Sequence, residues 1–240
     1  MRIVIVALVA LSLMACVDKE AEKKKKQDQA KAFMEAESKA RAEQEAKEAV
    51  AAFEAAKTGC DGGKGESCIA LGRLHQKDKR DAQAKEGFAA ACKLKTKDGC
   101  RMAADASTDG KEKLTHLKSL CALDDADACV QGAALADTLV QGGQLPEPKN
   151  PATRDAIVLL ATACDLGAVI ACTARGVALV NDDPKGAVAS LTKGCELNEP
   201  TACYQLSNMW AEGKGVKKKD PKKAAELKKK ACDAGLKDAC

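Results

Sequence analysis

Twelve of the thirteen cysteines fall into six pairs with one spacing, C-x7-C: Cys60/Cys68, Cys92/Cys100, Cys121/Cys129, Cys164/Cys172, Cys195/Cys203 and Cys232/Cys240. The first members recur after 32, 29, 43, 31 and 37 residues, the length of a helix-turn-helix repeat. Six copies of one spacing mark an internal repeat, and 240 residues are enough for one elongated domain or two compact ones.

Each first cysteine closes a helix-like stretch and each second one opens another, as in Ala163-Cys164-Asp165-Leu166-Gly167 before Ala171-Cys172. The Gly- or Asp-bearing segment between them reads as a turn. Helix starts are expected at Asp81, Asp109, Asn150, Asp183 and Asp220, three of them followed by a proline, Pro151, Pro184 and Pro221. An Asn or Asp cap accepts the orphan N–H groups, and a proline at the first helical position forfeits no hydrogen bond. Leu114, Leu117, Leu120 and Cys121 share one helical stripe, as do Ile157, Leu160 and Cys164. No β-branched run competes as a strand, so the expected class is all-α, with about six stapled two-helix repeats.

The first sixteen residues carry Arg2, an apolar run from Ile3 to Leu11, and small residues before Cys16, the pattern of an export signal. The run is too short for a good membrane span, and charge resumes at Asp18. In the oxidising compartment this implies, paired cysteines become disulfides, so each C-x7-C is expected to close on itself. Zinc sites use closer Cys pairs and often His, whereas His75 and His116 stand alone. Each nine-residue loop so closed restricts the unfolded chain by about 2.5 kcal/mol in the chain-entropy view. The aromatic inventory is only Phe33, Phe53, Phe88, Tyr204 and Trp210, so the core must be Ala, Leu, Val and Ile with the staples.

Leu13-Met14-Ala15-Cys16 resembles a bacterial lipobox, which implies lipidation and cleavage at Cys16, a signal peptide over residues 1–15, and a lipid-anchored envelope protein. Val17 stands where lipoproteins kept at the inner membrane often have Asp, which implies the outer membrane in a Gram-negative cell. Residues 16–47 form the lipidated end and a Lys/Glu/Ala tether, about 60 Å long over residues 18–57 if helical and roughly 35 Å if coiled. Lys23 to Lys26 could touch acidic headgroups, but a solvated face is the simpler reading.

From about residue 48 to Cys240 the chain resembles the Sel-one-like repeat family in its cysteine-rich, Hcp-type form. Cys203-Tyr204-Gln205-Leu206, Glu212-Gly213-Lys214-Gly215-Val216, Asp220, Lys223-Ala224-Ala225 and Ala231-Cys232 to Cys240 carry the likeness. It implies a right-handed, tetratricopeptide-like α/α superhelix with a disulfide across each C-x7-C turn. Only this last repeat keeps the Gly-x-Gly-Val turn, and an insertion, Gln141 to Lys149 with Pro146 and Pro148, sits between the third and fourth pairs.

The net charge of +4 is small against 74 charged residues, with no arginine-rich or aromatic-interleaved face, so nucleic acid is not an expected partner. Because some Hcp-type relatives are described as penicillin-binding proteins or β-lactamases, the serine β-lactamase motifs bear examination. Ser190-Leu191-Thr192-Lys193 matches S-x-x-K and Lys57-Thr58-Gly59 matches K-T-G, but S-D-N is missing and the two matches lie four repeats apart. The sequence therefore assigns no catalytic residue, metal or cofactor. The expected function is a monomeric envelope scaffold whose concave repeat surface holds a periplasmic protein, a peptide or a cell-wall fragment, with the insertion as a loop beside it. The alternative is β-lactam binding or hydrolysis, and a spacer without a ligand is a third possibility.

Overall fold

The computed structural model describes the backbone of residues 2–148 and 154–240, and side chains from residue 22 onward within those ranges. It comprises two compact units, residues 1–55 and 56–240.

The first unit consists of most of helix α1, Arg2–Asp61. Between Asp18 and Lys57 neither Gly nor Pro interrupts a run of strong helix formers. Exposed i,i+4 pairs, Glu22 with Lys26 at 2.8 Å and Arg41 with Glu45 at 3.0 Å, add a few tenths of a kcal/mol each. The sequence left helix and coil open for this stretch; the structure is helical, with Phe33, Met34 and Val50 exposed. Cys16 lies in α1, and its side chain is outside the described residues, as is that of every lipobox position.

The second unit begins at Ala56 with the last turns of α1. It continues through α2 Gly65–Lys77, α3 Asp81–Lys93, α4 Lys97–Ala106, α5 Gly110–Cys121, α6 Ala126–Gln141 and α7 Asp155–Asp165. Then come α8 Val169–Leu179, α9 Pro184–Glu196, α10 Pro200–Glu212, α11 Pro221–Asp233 and a closing 3-10 turn, Lys237–Ala239. From α2 onward each helix packs on its neighbours in sequence. Second neighbours also touch, α2 with α4, α3 with α5, α5 with α7 and α8 with α10, so even and odd helices form two layers. All described secondary structure is helical, and the fold is an α/α solenoid.

The structure joins Cys60–Cys68, Cys92–Cys100, Cys121–Cys129, Cys164–Cys172, Cys195–Cys203 and Cys232–Cys240, with Cα atoms 4.2 to 5.0 Å apart. At two turns the residues preceding the cysteines face each other closely: a Cβ on Gly99 would stand 2.5 Å from that of Ala91, and one on Gly194 would stand 2.8 Å from that of Ala202. Glycine at these two positions lets the helices close to bridging distance. The first five staples join two α-helices, and the sixth joins α11 to the 3-10 turn.

The third residue after each first cysteine adopts a left-handed backbone: Gly63, Lys95, Asp124, Gly167, Asn198 and Gly235, with φ between 59 and 99°. Its N–H bonds back to the cysteine carbonyl, as Gly63 does to Cys60 and Asn198 to Cys195. In five of the six turns the next N–H reaches the carbonyl before the cysteine, completing a Schellman motif. The fixed C-x7-C spacing is thus one helix ending, a short link of three or four residues and one helix start.

Asp109, Asp183 and Asp220 cap α5, α9 and α11 through the N–H groups of Glu112, Gly186 and Lys223. Asp81 departs from its expected role: it is the first residue of α3, and Arg80 precedes it without a side-chain cap. Asn150 and Pro151 lie outside the described residues. Two caps escape the sequence reading, Asp125 on Ala128 and Glu199 on Ala202, because both lie inside C-x7-C segments that read only as turns. The Gly-x-Gly-Val turn after α10 needs its glycines twice over: Gly213 and Gly215 have φ of 79 and 72°, and a Cβ on Gly215 would fall 2.2 Å from the Pro184 carbonyl oxygen.

The core runs the length of the stack as contiguous clusters of Ala, Leu and Cys, with both expected stripes buried. Phe88 is the one fully enclosed aromatic residue among those described, while Tyr204 and Trp210 pack at the edge of the last cluster.

Candidate binding surface

Polar links tie consecutive repeats along each layer. On the odd helices Lys85 of α3 pairs with Glu112 of α5, Lys118 of α5 meets Asp155 of α7 at 2.8 Å, and Asp165 of α7 meets Lys193 of α9 at 2.9 Å. Lys230 of α11 donates to the Cys195 carbonyl at 2.7 Å. On the even helices Arg101 of α4 meets Asp125, the cap of α6, at 2.7 Å, and Thr173 of α8 donates to Glu199, the cap of α10, at 2.9 Å. Exposed links of this kind each contribute well under 1 kcal/mol, yet together they fix the step between repeats.

Two caps are electrostatically tuned. Burial pushes the Glu199 carboxyl upward, but the Ala202 N–H, the Thr173 hydroxyl and Thr201 outweigh it and hold Glu199 below the usual range. Asp125 is likewise raised by burial and lowered, on balance, by the Ala128 N–H and by Arg101. His116 moves down because burial disfavours its charged form, Glu112 opposing and Lys85 and Lys93 adding to the effect. Its ring is half-buried in the stack.

The S-x-x-K match does not form a reactive pair. Ser190 is buried in α9; its Oγ donates to the Gly186 carbonyl at 3.0 Å and accepts from the Arg175 guanidinium of α8. Lys193 points instead to Asp165. Lys57-Thr58-Gly59 lies in the last turns of α1, with seven helices between it and α9. No group of three His, Cys, Asp or Glu among the described residues could hold a metal ion.

The described part of the insertion, Gln141 to Pro148, leaves α6 through a turn in which Gln144 and Leu145 both donate to the Leu139 carbonyl. Leu145 tucks against the core, and Pro146 and Pro148, with Ala136, Val140 and Arg154, line an open cavity of about 270 Å³. Lys149 lies outside the described residues.

No protein-family model and no curated protein matches the sequence. Among solved structures, the chain is similar to a Sel1 repeat protein from Oxalobacter formigenes, at 20% identity and a TM-score of 0.58 over 78% of this chain and 56% of that one. A protective antigen of uropathogenic Escherichia coli displaying an SLR fold aligns at 20% identity and a TM-score of 0.47, over 80% of this chain and 42% of that one. The Helicobacter pylori cysteine rich protein B aligns at 27% identity and a TM-score of 0.39, over 55% of this chain and 92% of that one. The chain thus spans about half the length of the first two. The stack defined by these helices and turns is a repeat solenoid with the fold of Sel1 repeat proteins. Its six disulfides suit an oxidising, exported environment, and no helix among the described residues is long and apolar enough to cross a membrane.

Proposed function

We propose that the chain is a cell-envelope lipoprotein, anchored through Cys16, whose stapled helix layers bind a peptide or a segment of a partner protein. The observation that carries this reading is the state of Ser190, whose hydroxyl is enclosed and engaged on both sides by Gly186 and Arg175 rather than held beside a base. That leaves the extended helical surface, which repeat stacks use for recognition, as the working part of the molecule. The helical run from Asp18 to Ala55 then serves as the tether between the anchor and the repeats.

Two measurements test the two halves. Cys16→Ser should move the protein from the detergent to the aqueous phase, and a wild type that is already aqueous and retains residues 1–15 contradicts the anchor. Immobilised protein should retain members of a random hexapeptide pool while oxidised and release them once reduced and alkylated. Equal retention in both states would show that the folded stack is not what binds.

A further inference from the structure

Aligning the even helices on their second cysteine places one position, three residues later, in the same register: Leu71, Ala103, Gly132, Arg175 and Leu206. Ala103, Gly132 and Leu206 are buried there and Leu71 is half-buried. A Cβ on Gly132 would meet Leu159 at 3.1 Å and Leu117 at 3.4 Å, so the position looks into the seam between the layers. In α8 alone this seam position carries a charge, and Ser190 of α9 sits beside it.

The other arginines among the described residues are either paired or exposed. Arg41, Arg80, Arg101 and Arg154 meet Glu45, Asp78, Asp125 and Glu147, and Arg73 is exposed. Arg175 is half-buried, has no carboxylate within ion-pair distance among the described residues, and its Nε is closed off from solvent without an acceptor. Its one hydrogen-bond partner among the described residues is the neutral Ser190 hydroxyl, which orients the guanidinium without neutralising it. A partly desolvated cation lacking a counter-ion is costly, and an arriving carboxylate removes that cost while forming charge-assisted hydrogen bonds.

We propose that Arg175, oriented by Ser190, is an anion-recognition site that takes a carboxylate of a bound peptide. The site rests on the reading of the stack as a peptide-binding scaffold and specifies the ligand chemistry. The carboxylate comes either from a peptide C-terminus or from an Asp or Glu side chain. A guanidinium meets both in the same way.

The test uses the full chain and four random hexapeptide pools: free-acid and C-terminally amidated, each made with and without Asp and Glu. Arg175→Leu installs the residue that α2 and α10 already carry at this position, and its thermal midpoint shows that the stack is intact. Ser190→Ala provides a second variant that keeps the charge. Wild type should retain carboxylate-bearing pools about tenfold or more over the amidated pool lacking Asp and Glu. Arg175→Leu should abolish that preference, Arg175→Lys should restore part of it, and Ser190→Ala should weaken it. Preference for the free-acid pool lacking Asp and Glu assigns a C-terminal carboxylate; preference within the amidated pools assigns a side chain. Retention that ignores carboxylates, or a preference unchanged in Arg175→Leu, overturns the site and leaves the scaffold reading standing. Retention of no pool overturns both.

Discussion

The Thr173 hydroxyl donates to the Glu199 carboxylate at 2.9 Å, and the same oxygen of Glu199 accepts the Ala202 N–H that opens α10. One carboxylate therefore caps a helix and ties it to the helix of the preceding repeat. Because its donors hold the folded carboxyl below the usual range, the sign is fixed. The contribution is present above the unfolded glutamate pKa and is lost as pH falls through the lower folded value. Glu199→Ala should cost about 1–2 kcal/mol at neutral pH. Thermal midpoints measured from pH 6 to pH 3 should converge between wild type and variant at the acid end; a constant gap across the range would contradict the assignment.

Helices α2 and α3 meet through two glycines. A Cβ on Gly87 would lie 2.9 Å from both the Cα and the N of Gly72, and backbone cannot move aside as a flexible side chain can. Gly87→Ala should therefore cost about 1–3 kcal/mol in urea unfolding despite its gain in helix propensity. An unchanged or higher midpoint would mean that the two helices sit farther apart.

Staples should differ with position. Cys203 is fully buried between packed helices, whereas Cys240 is exposed and joins α11 only to a 3-10 turn. Replacing Cys195 and Cys203 together should cost about 2.5 kcal/mol or more, since the closed loop and the core packing are both lost. Replacing Cys232 and Cys240 should mainly raise hydrogen exchange after Asp233. Equal losses of stability would place the terminal turn in the cooperative core.

The Arg101–Asp125 link joins α4 to the cap of α6, with the Asp125 carboxyl held low. Asp125→Ala should lower stability by about 1 kcal/mol through the lost cap, and a double-mutant cycle with Arg101→Ala in urea unfolding should give a coupling of only a few tenths of a kcal/mol; a coupling as large as the cap term would make the ion pair the main contribution.

How much of this was legible depended on how local the cause was. Cysteine spacing gives the repeat, the stripes through Leu117 and Leu160 give the buried faces, and Asp-Pro at 183 and 220 gives two helix starts. Gly63, Gly167 and Gly235 announce their left-handed turns, but Lys95, Asp124 and Asn198 adopt the same conformation because the flanking helices and the staple impose it. Asp125 and Glu199 were hidden by lying between cysteines, where a cap and a turn residue look alike. Arg175 could have been found only by overlaying the even helices on their second cysteine, since its oddity is the register position and not the residue. The S-x-x-K match pairs Ser190 with the wrong residue: Lys193 is one helical turn away in sequence but turns to Asp165, and Arg175 arrives from another helix.

Whether the molecule binds or reacts is decided most directly by intact-mass spectrometry of the protein and its ligand after prolonged incubation, first with the retained peptides and then with a chromogenic β-lactam. A scaffold returns each peptide at unchanged mass, with an unmodified chain and no β-lactam turnover above that of Ser190→Ala. A hydrolysed product, or an acyl adduct mapped to Ser190, would contradict the account.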